Sequence, residues 1–149
     1  MKSLLFVVMA THIVAHTHSI EVTYGGTGCP DGSALVEIDE LGAITLKTSE
    51  YGISLDQGMR RKSCNLVISF NEPIGDYSVG FDEIHLTGSL DIKEHAGSIL
   101  TGEAFLAGFR GYKFRDIKNG PLSESIVKLV APNPNWSPCG KSALLRLNT

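Results

Sequence analysis

Acidic side chains are the first candidates for catalysis in this chain. They occur as the pairs Asp39-Glu40 and Asp82-Glu83 and as the single residue Glu103. Two carboxyl groups a few ångströms apart, on either side of a glycosidic bond, could hydrolyse a polysaccharide by acid–base catalysis. Asp and Glu on strands are ordinarily exposed, so we interpret these residues as solvated surface. A hydrolytic secreted enzyme is kept as the alternative.

Histidine could also take part in nucleophilic catalysis. A Ser-His-Asp arrangement could include His85 or His95 and one of the many serines. The chain lacks the G-x-S-x-G turn that exposes a nucleophilic serine on a strand-to-helix turn. We therefore assign no catalytic residue from this pattern.

A copper site is the sharpest metal hypothesis. If the chain were cleaved after Ala15, His16 would carry the free amine, which with two backbone nitrogens and the imidazole of His18 suits square-planar Cu(II) or Ni(II). Cleavage after Ser19 would remove both histidines. We prefer the cut after Ser19, because Ile20 then opens the mature chain as a strand. We accordingly predict no metal and no cofactor, with a copper-dependent enzyme as part of the alternative.

The N-terminal block has the composition of a secretory signal. Lys2 supplies a positive start, and residues 4–14 are apolar apart from Thr11 and His12. A helix needs about 20 apolar residues to span a bilayer, so we expect a cleaved signal peptide at 1–19 and no stable membrane anchor. The remaining residues, 20–149, are predicted to form a single secreted, extracellular domain.

Two segments are basic, Arg60-Arg-Lys62 and Phe109–Arg115, and the second has interleaved aromatic residues. Such segments can bind nucleic acid, but the formal net charge of the whole chain is −3, and we predict no nucleic-acid partner. We expect the aromatics at 112 and 114 to alternate into the core. A glycan or protein at a cell wall or host surface is the more natural extracellular partner, with Trp136 and Tyr112 as candidate contacts, and a non-catalytic binding module is the predicted function.

Alternating apolar and polar residues predict the elements that position these side chains. Period-two patterning recurs along the chain, separated by Gly- and Pro-containing turns, and no window shows a helical stripe. This pattern predicts an all-β fold, an antiparallel β-sandwich with a Greek-key-like order. The residues expected in its core are Val36, Ile38, Leu66, Ile68, Val79, Phe81 and Leu129.

Three cysteines, Cys29, Cys64 and Cys139, follow the predicted signal. In an oxidising compartment two should pair and one should remain free. Cys64 lies on the apolar face of an alternating strand, and Cys29 and Cys139 lie in Gly- and Pro-flanked loops. Cys64–Cys139 and Cys29–Cys139 both stay open as pairings, so we expect one disulfide that includes Cys139.

Three ordered motifs carry a resemblance to a known family. They are Tyr24-Gly-Gly-Thr-Gly-Cys-Pro30, Arg61-Lys-Ser-Cys64 before an alternating strand, and Trp136-Ser-Pro-Cys-Gly140 before an apolar C-terminal run. Together they resemble the DUF4360 domain, a family of secreted proteins of fungi and bacteria. The resemblance implies a β-rich extracellular protein with no established activity.

The resemblance also raises an expectation about the C-terminal run. Relatives continue through a further strand, so Ala143–Asn148 would lie at an exposed sheet edge, with Leu145 and Leu147 on one face and Arg146 on the other. An unpaired edge invites pairing with another chain. We therefore expect a sandwich that lacks a final strand and shows weak self-association.

Overall fold

The protein is built from antiparallel β-strands. The computed structural model describes residues 4–9, 20–39, 43–53, 61–71, 78–130 and 135–149, with the backbone alone for 4–9 and 126–130. These residues contain no helix, and therefore none that could span a membrane. The strands, in chain order, are β1 (Leu4–Met9), β2 (Ile20–Gly25), β3 (Ala34–Ile38), β4 (Ala43–Thr48), β5 (Asn65–Phe70), β6 (Glu83–Ile92), β7 (Gly97–Leu106), β8 (Tyr112–Asn119), β9 (Leu122–Val130) and β10 (Ala143–Asn148).

Two five-stranded sheets make up the fold. Sheet A has the order β3-β4-β1-β6-β9, and sheet B has the order β2-β5-β10-β7-β8. Successive side chains of a strand point to opposite faces, so each alternating strand buries one side. On β4, Ile44 and Leu46 are buried, and their neighbours Thr45 and Lys47 are more accessible. Buried residues of both sheets belong to one apolar cluster, which confirms the predicted antiparallel sandwich.

Most of the predicted core residues are where the pattern places them. Leu66, Ile68, Val79 and Phe81 are all buried, and Val36 is half-buried against the same cluster. The prediction for Ile38 is wrong, since its side chain is 44% exposed. It ends β3, which is an edge strand with a neighbour on only one side. The side chain of Leu129 lies outside the part of the chain whose side chains are described.

The segment Leu4–Met9 lies within a sheet. As β1 it fills the space between β4 and β6 and pairs antiparallel with both. These residues also belong to the apolar block that predicts a secretory signal. The other residues of that block, including His16 and His18, lie outside the described residues.

The disulfide joins Cys29 to Cys64, with 5.4 Å between their Cα atoms. The expectation that the bridge includes Cys139 is wrong, because Cys139 is free and exposed, with its Sγ 3.3 Å from Ser78 Oγ. The reason is strand order. β2 and β5 are neighbours whose register reaches Gly25 opposite Asn65, so the turn after β2 meets the residues just before β5.

The C-terminal strand is central rather than peripheral, and the expectation of an exposed edge is wrong. β10 pairs along its whole length with β5 and over Leu145–Asn148 with β7. Leu145 and Leu147 are buried, while Arg146 is exposed, which confirms the predicted alternation. The argument for self-association through this strand no longer applies, because the backbone groups of β10 already have partners within the sheet.

The disulfide should account for a large share of the stability. Replacing both partners, Cys29→Ser with Cys64→Ser, should lower the free energy of unfolding by about 2–4 kcal/mol, because the unfolded chain regains the entropy of an open loop. Urea denaturation would measure this loss. Cys139→Ser is the matched control and should change stability by no more than about 0.5 kcal/mol. A larger loss in the Cys139 variant would contradict the pairing.

The central position of β10 gives a second prediction. Leu145→Ala should lower the free energy of unfolding by about 2–5 kcal/mol, since it removes a fully buried side chain and leaves a cavity. Arg146→Ala, on the opposite face of the same strand, should cost about 0.5 kcal/mol or less. Denaturation curves of the two variants test the placement, which equal losses would disprove.

Candidate functional site

Three aromatic side chains are exposed at one end of sheet B. Phe109, Tyr112 and Trp136 are 46%, 42% and 43% accessible to solvent, and they are the aromatic members of the large apolar residues found exposed among the described side chains. Phe109 lies in the turn between β7 and β8, and Tyr112 begins β8. We refer to these three residues as the aromatic surface.

Hydrogen bonds bring the segment that carries Trp136 to the β7–β8 turn. Asn135 Nδ2 donates to the carbonyl oxygen of Arg110 over 3.0 Å, and Arg110 lies between Phe109 and Tyr112 in the chain. On the other side of Trp136, the Ser137 backbone N–H donates to the Val79 carbonyl over 2.8 Å. Trp136 is therefore held between two anchored neighbours.

The hydroxyl of Ser137 serves the backbone. The residue is buried, and its Oγ accepts the Val79 N–H over 2.9 Å. Since Val79 also accepts a bond from the Ser137 N–H, the two residues form a reciprocal pair. A buried N–H that loses its acceptor costs about 1–3 kcal/mol, which makes this pair a firm attachment for the aromatic residue beside it.

Gly80 sets the position of the indole ring. A Cβ atom on Gly80 would lie 3.2 Å from Trp136 Cε3 and 2.8 Å from the Asn135 carbonyl oxygen. The distance to the Asn135 carbonyl is too short for any residue with a side chain unless the segment moves, and the distance to Trp136 is tighter than an ordinary contact. The ring consequently contacts the bare backbone of Gly80 and leaves nearly half of its surface to solvent.

An acidic and a basic side chain lie close to the turn between β7 and β8. Glu103 of β7 lies over the turn, because a Cβ atom on Gly111 would be only 2.6 Å from Glu103 Oε1. Lys113 Nζ is 3.9 Å from the same oxygen. In the register of β7 and β8, Glu103 lies opposite Lys113 and Tyr112 opposite the buried Ala104, so this carboxylate and ammonium group lie on the other face of the sheet from Tyr112.

The carboxylates considered for hydrolysis do not come together as a pair. Asp39 follows β3, where its Oδ1 accepts the Ala43 N–H over 2.8 Å. Glu83 begins β6, three strand spacings away or about 14 Å. Glycosidase pairs are separated by about 5–9.5 Å. Glu103 belongs to the other sheet, Asp82 adjoins Glu83, and Glu40 lies outside the described residues.

The remaining sequence candidates are dispersed. His85 Nε2 is 3.0 Å from Glu83 Oε2 on sheet A, and His95 is exposed in the turn after β6. The part of the chain with described side chains has no group of three metal-ligating residues. Lys62 donates to the Glu50 carbonyl and its Nζ lies 4.0 Å from the Glu50 carboxylate, so its ammonium group has partners within the fold, whereas Arg60 lies outside the described residues.

The sequence indicated two members of the aromatic surface, Trp136 and Tyr112, as candidate sugar contacts. The third, Phe109, was noted only as part of a basic segment. The sequence also predicted that Tyr112 and Phe114 enter the core. Phe114 is buried, but Tyr112 is exposed because it opens an edge strand. The sequence signal that could have identified Phe109 is its position directly after Gly108, because glycine favours turns and turns lie at the surface. In the structure Gly108 has a φ of 88° in that turn.

Comparisons with known proteins place the chain in a family. Residues 16–149 match the model of the Domain of unknown function (DUF4360). An uncharacterized secreted protein of Arthroderma benhamiae is 26% identical over 141 residues, covering 89% of this chain and 57% of the relative. The chain thus spans little more than half the length of that relative. No solved structure matches this chain. On the extent of the family match, the chain belongs to the DUF4360 family.

Proposed function

We propose that this domain is a non-catalytic extracellular binding module whose aromatic surface binds a glycan of a cell wall or host surface. The observation that carries the proposal is the exposure of Phe109, Tyr112 and Trp136 at neighbouring positions. Exposed apolar groups rimmed by polar residues mark interaction sites on soluble proteins. The secreted relative supports an extracellular setting.

The chemistry of the surface suits a carbohydrate. Aromatic rings offer a large apolar face, which can pack against the C–H groups of a pyranose ring. The exposed polar residues Arg110 and Asn135, next to Phe109 and Trp136 in the chain, can bond to the hydroxyl groups of the same sugar. A polysaccharide repeats C–H faces and hydroxyl groups along its length, so several of the aromatic side chains can contact successive sugar units.

Rigidity favours binding at this surface. The anchors at Asn135 and Ser137 hold Trp136 from both sides before any ligand arrives. A side chain that is already ordered loses less conformational entropy on binding, which increases affinity without any additional contact. The contact with Gly80 restricts the indole ring further.

The first test addresses the position of the ring. Gly80→Ala should displace Trp136, because the added Cβ would overlap the Asn135 carbonyl. Trp136 is the sole tryptophan, so a shift in its fluorescence emission and quenching reports the displacement directly. Gly25→Ala is the control, since a Cβ there meets no atom within 4 Å, and it should leave the emission unchanged. Identical spectra for both variants would contradict the described contact.

The second test addresses binding itself. A glycan array followed by polysaccharide pull-down should identify a ligand for the wild-type protein, and Trp136→Ala and Tyr112→Ala should each weaken its binding by roughly tenfold, equal to about 1.4 kcal/mol. Ile99→Ala provides the matched control, because Ile99 is an exposed apolar residue of the same sheet outside the aromatic surface. Wild-type protein that binds no glycan, or variants that bind as tightly as Ile99→Ala, would refute the proposal.

A further inference from the structure

The middle of sheet A is formed by an N-terminal segment. All six residues of Leu4–Met9 have register partners on β4, and five of them also have partners on β6. The backbone of this short apolar segment is therefore paired on both sides. Its neighbours on the two flanking strands include fully buried core residues, Ile44 and Leu46 on β4 and Ile84 and Leu86 on β6.

Removal of this segment would leave a space that the flanking strands cannot close without moving. β4 and β6 are two strand spacings apart, about 9.5 Å, whereas hydrogen-bonded strands are about 4.8 Å apart. Both strands would present unpaired N–H and C=O groups towards each other, and unpaired edges readily accept another strand. The predicted cleavage after Ser19 would create this gap between β4 and β6.

We propose that the processed domain binds an extended apolar segment of another polypeptide as an added strand in the β4–β6 gap. The proposal depends on the predicted removal of residues 1–19 and is independent of the aromatic surface, which belongs to sheet B. Strand addition supplies main-chain hydrogen bonds for affinity and alternate side-chain positions for specificity. In this gap the ligand gains main-chain partners on two sides instead of one.

The register defines what the segment must contain. Position 6 lies opposite Leu46 and Leu86, and position 8 lies opposite Ile44 and Ile84, all of which are buried. A ligand therefore needs apolar residues at these two alternate positions.

The intervening positions have different neighbours. Position 7 lies opposite Thr45 and His85, which are partly accessible. Position 5 lies opposite Lys47 and Thr87, of which Lys47 is exposed. Polar residues should be tolerated at positions 5 and 7. The partner is thus a polypeptide segment with apolar residues at every second position over about six residues, the length of β1.

The experiment starts from the full chain, with a specific protease site placed between residues 10 and 19. The chain is folded, cut at that site and mixed with a fluorescent peptide of residues 4–9 flanked by lysines. The peptide should exchange into the cut protein, raising its fluorescence anisotropy, and should not bind the uncut protein. A peptide with Phe6→Asp should bind at least about tenfold more weakly, whereas one with Val7→Thr should bind within about threefold of the parent.

Several results would overturn the proposal. Equal binding of the Phe6→Asp and Val7→Thr peptides would show that binding in the gap does not depend on apolar residues at alternate positions. If the cut protein keeps its own segment and never takes up added peptide, β1 is a permanent strand. If the cut protein loses that segment, binds no peptide and protects β4 and β6 amides from hydrogen exchange, the gap has closed. A dimer in sedimentation velocity that excludes the peptide would assign the gap to a second copy.

Discussion

The covalent bond between Cys29 and Cys64 holds one end of the sandwich together, and contacts from both sheets converge on it. Gly28, next to the bridge, donates to the Ser63 carbonyl over 2.8 Å, and its own carbonyl accepts the buried Thr48 hydroxyl of sheet A over 3.2 Å. Cys64 exchanges two backbone hydrogen bonds with Thr149. The ring of Tyr51 lies against Gly28, where a Cβ atom would overlap it, and burial raises the pKa of Tyr51. This junction therefore joins β2, β5, the residue after β10, and β4.

The strands of sheet B connect the disulfide junction to the aromatic surface. β10 lies between β5, which follows Cys64, and β7, which leads into the turn carrying Phe109. At that turn the Ala107 N–H donates to the Leu144 carbonyl over 2.8 Å. The segment carrying Trp136 is attached to the same turn through Asn135. The exposed rings are thus presented by paired strands and anchored turns, which is the condition under which a surface binds with little loss of entropy.

The two sheets differ in what fills their centres. The centre of sheet B is β10, which is bonded on both sides to strands that follow the junction. The centre of sheet A is β1, from a segment whose composition also predicts a signal for secretion. One chain cannot lose this segment and keep the same sheet, since its neighbours β4 and β6 would have no partner between them. The predicted removal of residues 1–19 would therefore also remove the central strand of sheet A.

The sequence by itself determined the class of fold, because period-two alternation is a local property: Leu66 and Ile68, or Leu145 and Leu147, reveal a buried strand face without reference to any other segment. It also indicated Trp136 and Tyr112 as candidate contacts for a sugar. Only the tertiary structure decided which strands are neighbours. The pairing of Cys29 with Cys64 depends on β2 lying beside β5, and the burial of β10 depends on β5 and β7, which lie well before it in the chain. The exposure of Tyr112 likewise depends on β8 being an edge. Alternation states which face of a strand is apolar, but it does not encode the partner of that strand, because any two alternating strands can pair through the same backbone groups.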